Sequence, residues 1–412
     1  MEKRVVITGL GVVSPVGNTV EEMWDSIRNG RHGIAQITSF DLEGHKVTMG
    51  AEVKNYDYGD KKAARRLDMA DQFALTAARE AIEDSGISSG ENVDPDRFSV
   101  YGGTGIGGMR TLESEVTKCV RKDKLARASA LLIPMVMPNA VSGNISMEFN
   151  AKGASMGIVS ACATGTHCVG EAFRNIKHGY SDVVLAGSTE SVFSPVCFSG
   201  FSNMTAMSTK TDPDRCSIPF DVERDGFILG EGAAFLVLEE LEHALNRGAK
   251  IYGEVIGYGA TSDAYHITSP APDGEGAAKA IRLALQEAGI TPDDIDYINA
   301  HGTGTPYNDA FETIAVKKVF GENTKVPMSS TKSMTGHLLG AAGSLEAVIC
   351  TKAITESFIP PTIGLQKPDP ELDLDYVPNV GRDAEIKCTL SNSLGFGGHN
   401  ASVIFRRAES WN

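Results

Sequence analysis

The sequence lacks the marks of several protein classes. No stretch approaches the roughly 20 consecutive apolar residues that a membrane-spanning helix needs, and the first residues run directly into a strand-like segment without a signal region. The seven cysteines are odd in number and show no CxxC spacing, which argues against a disulfide framework or a zinc site. Basic residues are few: 38 Lys and Arg face 53 Asp and Glu, and the net charge of −15 disfavours nucleic acid as a partner. We therefore expect a cytoplasmic protein with reduced thiols and no membrane span.

What is present is a regular alternation of strand-like and helix-like segments. The chain has 412 residues, 42% of them hydrophobic, which is enough for two or three domain-sized units. Alternation of this kind is typical of the α/β class. The predicted strands are Val5–Gly9, Phe98–Gly102, Gly157–Ser160, Val183–Ala186, Ala234–Leu238, Ile251–Tyr258, Ile295–Ala300 and Val403–Phe405, and the predicted helices are Asp68–Asp84, Ala163–His178, Gly276–Ala288, Asn308–Phe320 and Leu338–Thr355.

The chain shows a faint internal duplication. Each half opens with an apolar strand that ends in glycines, and each half contains a strand, a sharp turn with a reactive residue and then a helix. The reactive residues are Cys162 in the first half and His301 in the second, and we pair these two turns as equivalents. The division is placed near Gly248, which gives an N-terminal half of residues 1–248 and a C-terminal half of residues 249–412.

Cys162 is the first candidate for catalysis. A buried strand leads into residues 159–165 and a helix leads out, so the thiol is expected at the start of a helix. Unpaired N–H groups and the helix dipole at that position favour the thiolate. The Cys162 N–H is also placed to meet a developing oxyanion. The small residues around it leave room for a substrate, whereas an arbitrary cysteine is usually a buried core residue.

Two histidines complete a plausible reaction site. His301 follows a strand and opens the sequence His-Gly-Thr-Gly-Thr, and His337 stands at the head of a helix rich in small residues. Singly, each is more often a structural histidine. Together with a nucleophilic cysteine, two neutral imidazoles suit the joining of two thioesters, because a thiolate can hold an acyl group while two N–H donors stabilise an enolate. A cysteine protease would need only one histidine.

Two glycine-rich segments need separate interpretation. Residues 394–400 carry Phe396 between glycines, which indicates either a mobile gate with a backbone N–H near the substrate or an ordinary turn before the last strand. Residues 103–108 match GxGxxG, but a dinucleotide site also needs a following amphipathic helix and a later acidic residue. The segment 110–127 reads as charged and irregular. We therefore expect these glycines to pass close to the active site, with Ile106 facing it.

An ordered set of motifs resembles the β-ketoacyl-[acyl-carrier-protein] synthases I and II of the thiolase superfamily, and the chain is identified as a member of the synthase II group. The resemblance runs from residue 5 to residue 400, essentially the whole chain. The matching segments are 5–11, 161–165, 219–221, 224–227, 263–266, 301–303, 329–343 and 395–398. The resemblance implies a five-layered α-β-α-β-α fold, built from two halves related by a pseudo-twofold axis, and a homodimer.

The resemblance also implies a mechanism and a partner. Acyl carrier protein would deliver an acyl group to Cys162, with the N–H groups of Cys162 and Phe396 around the oxyanion. Malonyl carrier protein would then lose carbon dioxide, and His301 and His337 would stabilise the enolate that attacks the acyl-enzyme. Which histidine assists decarboxylation stays open. Lys332 and Glu312 match positions that surround the second histidine, and no organic cofactor is implied.

Further positions follow from the resemblance. Substrate-binding positions are Ile106, Leu132, Phe201, Thr268, Thr303, Thr305 and Glu312, of which Thr303 and Thr305 would hold the phosphopantetheine arm. Carrier-protein docking positions are Lys62, Arg65, Arg66 and Arg127, in two basic segments of an otherwise acidic chain. A weakly held Na⁺, K⁺ or Mg²⁺ ion is expected at Asn299, Ala300, Glu346, Ser391 and Asn392, where oxygen ligands suit a hard cation. A plain hydrogen-bond network is the alternative there.

Departures from the family pattern and rival functions remain. Gly304 and His399 stand where many relatives have serine and threonine, and Cys197 lies in a segment that borders the acyl pocket, so chain-length preference is open. A non-catalytic chain-length factor would lack the cysteine. An oxidoreductase would need the loop at Gly103 to bind a nucleotide. A polyketide ketosynthase or a type I synthase would share the mechanism, and sequence separates these poorly.

Overall fold

The computed structural model of the chain describes residues 2–122 and 124–408. The strands are β1 Val5–Val13, β2 Ala35–Gln36, β3 Met49–Gly50, β4 Phe98–Gly103, β5 Ser155–Ile158, β6 Val183–Glu190, β7 Gly232–Glu240, β8 Gly253–Ser262, β9 Tyr297–Asn299, β10 Met328–Ser329, β11 Phe358–Ile359, β12 Arg382–Asp383, β13 Cys388–Gly395 and β14 His399–Arg407. The helices are α1 Val20–Arg28, α2 Lys61–Ala64, α3 Met69–Ser85, α4 Met109–Arg121, α5 Leu132–Val136, α6 Ala140–Glu148, α7 Thr164–Lys177, α8 Pro195–Asn203, α9 Leu241–Asn246, α10 Glu275–Ala288, α11 Pro306–Phe320, α12 Lys332–Thr335 and α13 Ala342–Glu356.

Ten strands form one continuous sheet in the order β10-β9-β13-β14-β8-β1-β7-β6-β4-β5. The N-terminal side contains β1, β4, β5, β6 and β7, and the C-terminal side contains β8, β9, β10, β13 and β14. Counted outward from the middle of the sheet, both sets follow the same order: the first, fifth, fourth, second and third strand of the set. The two sides join where Val5, Val6 and Ile7 of β1 pair with β8. The sheet is therefore two topologically identical five-stranded halves, as expected for the thiolase-like fold.

The helices complete five layers. Helix α3 packs on β1 and β7, α10 packs on β8 and β14, and α7 and α13 pack against each other between the two half-sheets. Three apolar cores separate these layers, one central and two outer. Every residue of β1 and β7 is buried, because helices cover both faces of these strands. Helix α13 is apolar around most of its circumference, which is typical of a helix with no exposed face.

The expected pairing of the two reactive turns is wrong. Cys162 follows the third strand of its half, β5, whereas His301 follows the second strand of its half, β9. The counterpart of Cys162 is Gly340. Both are the central residue of a short 3-10 helix, Ala161–Ala163 or Leu339–Ala341, that leads into a central helix. The first residue has a left-handed φ in both, 50° at Ala161 and 49° at Leu339.

Some predicted elements differ from those observed. The segment expected to be irregular from residue 110 contains α4, whose apolar residues Leu112, Val116 and Val120 recur every fourth position and face outward. The charges between them obscured that period. Helices α2 and α3 are separate, because the Asp68 side chain caps a new helix by accepting from the Ala70 N–H. The basic residues 61–66 lie in α2 and just after it, before α3 begins.

The cysteines form no disulfide bonds. All seven are buried and unbonded. Over residues 2–122 and 124–408, no helix combines the length and apolarity needed to cross a membrane.

Candidate active site

Cys162, His301 and His337 line one cavity of about 540 Å³. Cys162 comes from the turn before α7, His301 from the turn after β9 and His337 from the turn after α12. The three side chains are buried, with exposures of 6%, 2% and 2%. The structure thus brings together the nucleophile and both imidazoles from the two halves of the fold.

The backbone around Cys162 is arranged to receive a carbonyl oxygen. The backbone N–H groups of Phe396 and of Cys162 itself both lower the pKa of the Cys162 thiol, so they lie beside the sulfur. A Cβ atom added at Gly395 would lie 2.9 Å from the Ser160 carbonyl oxygen and 3.3 Å from the Cys162 nitrogen. Glycine at position 395 therefore keeps the space in front of the Cys162 N–H open.

The resting nucleophile is a thiol. Burial raises the pKa of Cys162 to about 12, and it outweighs the positive charge of Lys332 and the two N–H groups, which lower it. Burial thus opposes the thiolate that was expected at the start of a helix. Sequence position indicated the helix start, but it did not indicate how deeply the turn is buried.

The two imidazoles are neutral. Burial is the main cause that lowers the pKa of His301 and of His337 well below the usual value, and the charge of Lys332 lowers both further. Their ring centroids are 5.3 Å apart at an interplanar angle of 84°. Phe227 packs edge-on against His337 with ring centroids 5.5 Å apart. Two neutral rings held in this way can each offer one N–H donor to the cavity.

Two buried carboxylates support the histidines, although one of them does so differently from expectation. Lys332 forms a buried ion pair with Glu346. Glu346 was expected only as a ligand of a cation, so this pair was not predicted. Glu312 accepts the N–H groups of His301 and Gly302, both at 2.8 Å, so it holds the first histidine and not the second. Burial raises the pKa of Glu346 and of Glu312 to about 7. Glu312 is 1% exposed and does not line the cavity, so its expected place among substrate-binding residues is wrong.

The other expected substrate-binding residues divide into two groups. Thr268, Thr303 and Thr305 line the cavity, and the hydroxyl oxygens of Thr303 and Thr305 are 2.9 Å apart. Phe201 lies just behind it, with its ring 6.3 Å from that of Phe227. Ile106 and Leu132 lie outside the cavity of the single chain, and Ile106 is 36% exposed.

Sequence reasoning missed several residues of this site. Phe227 belongs to one of the matching segments but had no predicted role, and Leu339 was predicted only as part of a helix although it lines the cavity. Glu346 was predicted only as a cation ligand, and its ion pair with Lys332 was missed. A signal for that pair was available, because Glu346 is an acid within an apolar stretch of α13, and a buried acid needs a partner. Glu190, at the end of β6, has no local motif that would mark it.

Comparison with known proteins agrees with the fold. Residues 2–244 match the family described as "Beta-ketoacyl synthase, N-terminal domain", and residues 252–366 match "Beta-ketoacyl synthase, C-terminal domain". The chain belongs to the beta-ketoacyl synthase family, the condensing branch of the thiolase superfamily. It is an acyltransferase of the 3-oxoacyl synthase II type.

The similar proteins point to fatty-acid elongation. The chain is 47% identical over 412 residues to "3-oxoacyl-[acyl-carrier-protein] synthase 2" of Staphylococcus aureus strain COL, covering 99% of both chains. It is 47% identical over 411 residues to the protein of the same name from Synechocystis sp., covering 98% of both. Among solved structures, a beta-ketoacyl synthase from Burkholderia phymatum aligns with a TM-score of 0.92 at 34% identity, over 99% of this chain and 100% of that one. The predicted function, a condensing synthase of fatty-acid elongation, is confirmed at this level.

Proposed function

We propose that the chain joins an acyl group held on Cys162 to the enolate of a malonyl group and so lengthens fatty acyl chains by two carbons. The observation that carries this proposal is the cavity itself. It combines a nucleophile flanked by two backbone N–H groups with two neutral imidazoles from the other half of the fold. Cys162 and the two N–H groups serve acyl transfer, and the two imidazoles serve the enolate, as two sequential half-reactions require.

In the first half-reaction the Cys162 sulfur attacks the incoming thioester. The carbonyl oxygen becomes an oxyanion between the N–H groups of Cys162 and Phe396. When this intermediate collapses, the pantetheine thiolate leaves. It takes up the proton that the Cys162 thiol gives up. Because the thiol is neutral at rest, no unpaired charge is buried before the substrate arrives.

In the second half-reaction the malonyl thioester enters the same cavity and its carbon–carboxylate bond breaks. Carbon dioxide leaves, and the electron pair forms an enolate whose oxygen accepts hydrogen bonds from His301 and His337. The enolate carbon attacks the acyl-enzyme carbonyl, and the Cys162 sulfur departs and takes up a proton. Thr303 and Thr305 line the cavity and supply hydroxyl groups to the pantetheine arm.

Mass spectrometry tests the proposal directly. After incubation with acyl carrier proteins of different chain lengths, the peptide that contains Cys162 gains the mass of the acyl group. Addition of malonyl carrier protein removes that mass and yields a 3-oxoacyl product. Acylation at another residue, or loss of the acyl group by hydrolysis alone, would refute it.

A polyketide ketosynthase is the second candidate. The solved structure "AntDE:AntF (apo): type II PKS acyl-carrier protein in complex with its ketosynthase bound to the hexaketide" aligns with a TM-score of 0.92 at 34% identity, over 99% of this chain and 100% of that one. The same cavity would serve both reactions. The higher identity to fatty-acid synthases favours the first candidate, and the length and reduction state of the product distinguish them.

We further propose that acyl carrier protein is the substrate carrier and that it docks on basic side chains of two segments, Lys62, Arg65 and Arg66 in the first and Arg127 in the second. All four side chains are exposed, and none forms an ion pair with another described residue. Carrier proteins of this class are acidic, and the chain itself carries −15, so association needs local positive charge. The AntDE:AntF complex, in which a ketosynthase is paired with its carrier protein, supports this partner.

The docking surface yields a testable prediction. We expect Lys62→Glu with Arg65→Glu to raise the KM for carrier-linked substrates several-fold, and more at low salt, where charge acts over a longer distance. Turnover of small pantetheine thioesters stays unchanged. Lys325→Glu with Lys387→Glu changes the net charge equally at other exposed positions and serves as the control. Equal losses for both substrate types would contradict the docking role.

A homodimer is also proposed, on the basis of an exposed edge. Strand β5 is the outermost strand of its half-sheet, and Ser155, Met156 and Gly157 are exposed. The neighbouring side chains of Met156 and Val159 are each 50% exposed. An uncovered edge with apolar side chains is a template for pairing with another chain, and a second copy aligned along β5 would cover it.

We propose that a monovalent cation binds beside the Lys332–Glu346 pair. Asn299 Oδ1, Glu346 Oε2 and Ser391 Oγ are buried oxygens without hydrogen-bond partners among the described residues. With the main-chain oxygen of Ala300 and the Asn392 side chain they form a set of hard oxygen ligands. The ammonium of Lys332 already offsets the Glu346 charge, which favours Na⁺ or K⁺ over Mg²⁺.

Thermal unfolding measures this site without an activity assay. We expect K⁺ or Na⁺ to raise the Tm saturably at constant ionic strength, with choline as the inert balance, because a ligand that binds only the folded state stabilises it. Ser391→Ala removes one ligand and should weaken the effect. A Tm that depends only on ionic strength would show a plain hydrogen-bond network.

A further inference from the structure

Glu190 is a buried acid that lies beside the active site and has no part in the reaction described above. It is the last residue of β6 and is 0% exposed. Its carboxylate accepts the Thr104 hydroxyl at 2.8 Å, the Gly105 N–H at 2.8 Å and the Gly340 N–H at 3.0 Å, with a longer contact of 3.4 Å to the Ile106 N–H. One side chain therefore binds the turn after β4 to the turn that follows His337.

The internal symmetry of the fold explains this position. Gly340 is the counterpart of Cys162, and Glu190 ends β6 as Gly395 ends β13, the fourth strand of the other half. At the catalytic turn, Gly395 leaves the Cys162 N–H open to substrate. At the symmetry-related turn, Glu190 stands in the place of Gly395, and its carboxylate accepts the equivalent N–H, that of Gly340.

The two turns also require glycine where they meet. A Cβ atom at Gly340 would lie 2.4 Å from the Gly105 nitrogen, and one at Gly105 would lie 2.5 Å from Glu190 Oε2. Real Cβ atoms do not approach so closely, so both turns are built around the carboxylate. The turn at Gly340 contains Leu339, which lines the catalytic cavity, and begins directly after His337.

The negative charge of Glu190 opposes ionisation of Cys162. Burial is the main cause of the raised Cys162 pKa, but the charge of Glu190 raises that pKa as well. Burial likewise raises the pKa of Glu190 to about 7, against four hydrogen bonds that lower it. An acid that disfavours ionisation of its neighbouring nucleophile contributes through the groups it holds, not through its charge at the sulfur.

We propose that Glu190 is a positioning residue for condensation: its carboxylate fills the duplicate of the oxyanion site and holds the turns at Gly105 and Gly340 so that His337 and Leu339 face the cavity. This proposal rests on the proposed function, and it assigns to Glu190 a role in the same reaction. Because Glu190 supports the side of the cavity that carries His337, its loss is expected to affect the enolate half-reaction more than acylation of Cys162.

Chemical rescue provides the decisive experiment. We expect Glu190→Ala to acylate Cys162 at a near-normal rate but to lose condensation by about 100-fold, the order expected when a catalytic group is displaced by about 1 Å. Formate or acetate should restore condensation saturably, because the anion can occupy the vacated N–H groups, whereas equal NaCl should not. Butyrate, which is too long for the space, should restore little.

Controls separate positioning from general damage. Glu231→Ala removes a carboxylate that is also buried but is bound by the Val53 N–H and the Ser191 hydroxyl, and acetate should not change its condensation rate. If Glu190→Ala does not fold, Glu190→Gln serves instead. Its amide places an N–H₂ group against backbone donors, and it should show the same selective loss of condensation.

The outcomes are distinct. Full condensation by Glu190→Ala, or equal loss of acylation and condensation without an acetate response in a folded protein, would overturn the positioning role. Absence of 3-oxoacyl product from the wild-type chain in the same assay would instead refute the proposed function.

Discussion

Cys162→Ala is expected to abolish condensation completely, because no other side chain in the cavity can form the acyl-enzyme. The variant should release no 3-oxoacyl product and should show no acyl mass on the peptide of residues around 162. Decarboxylation of malonyl carrier protein should continue, since His301 and His337 remain in place. This separation of the two half-reactions is the measurable signature of the assignment.

The chain offers a matched control for that experiment. Cys197 is another buried cysteine, 7% exposed, and lies in the same apolar cluster as Cys162. Cys197→Ala should form the acyl-enzyme and the product, with at most a changed preference for chain length. Normal elongation by Cys162→Ala would show that the nucleophile has been wrongly assigned.

The second large effect concerns the histidines. We expect His301→Ala and His337→Ala each to accept the acyl group on Cys162 and to lose condensation by roughly 100- to 1000-fold, the cost of one lost donor to a developing oxyanion. Acyl-enzyme formation is followed by mass spectrometry, and carbon dioxide release is followed separately. The variant that also stops carbon dioxide release identifies the histidine that assists decarboxylation.

The pH dependence of this step has a definite sign. Both imidazoles have lowered pKa values, chiefly because of burial, so both stay neutral over the range in which an ordinary histidine becomes protonated. Protonation of His301 or His337 should therefore not reduce condensation as pH decreases through about 6.5, the ordinary histidine value. A loss of condensation near pH 7 would instead report Glu190, Glu312 or Glu346, whose pKa burial raises to about 7. His178→Ala changes an exposed histidine and serves as the control.

Failure of His301→Ala or His337→Ala in acyl transfer alone would contradict the role of these two histidines in the enolate step.

The sequence predicted most of the fold for physical reasons that can be named. The strands at β1, β6 and β7 were found because fully buried strands read as continuous apolar runs. Helix α7 was found from its apolar period and from Gly179 just after it. Helix α4 was missed because its apolar residues alternate with charges and face outward, so no burial pattern marked it.

The site was predicted less completely, because its remaining features depend on long-range contacts. The reactive residues could be named from their local motifs. The protonated state of Cys162 and the Lys332–Glu346 pair depend on burial that no local motif records. Glu190 could not be recognised from the sequence either, since its four partners lie at positions 104–106 and 340. The duplication was visible, but only the order of the strands identified which turns correspond.

The three-residue pairing of β1 with β8 has a consequence for synthesis of the chain. Strand β1 lies in the middle of the sheet, between β7 and β8, although it precedes all the other described strands along the chain. At roughly 5–20 residues per second, more than ten seconds separate the synthesis of Val5 from that of Val255. During this interval β1, which is completely buried in the folded chain, lacks its neighbour on one edge. We expect this edge of β1 to stay unpaired until the C-terminal half arrives, and we expect this long-range closure to slow folding of the chain.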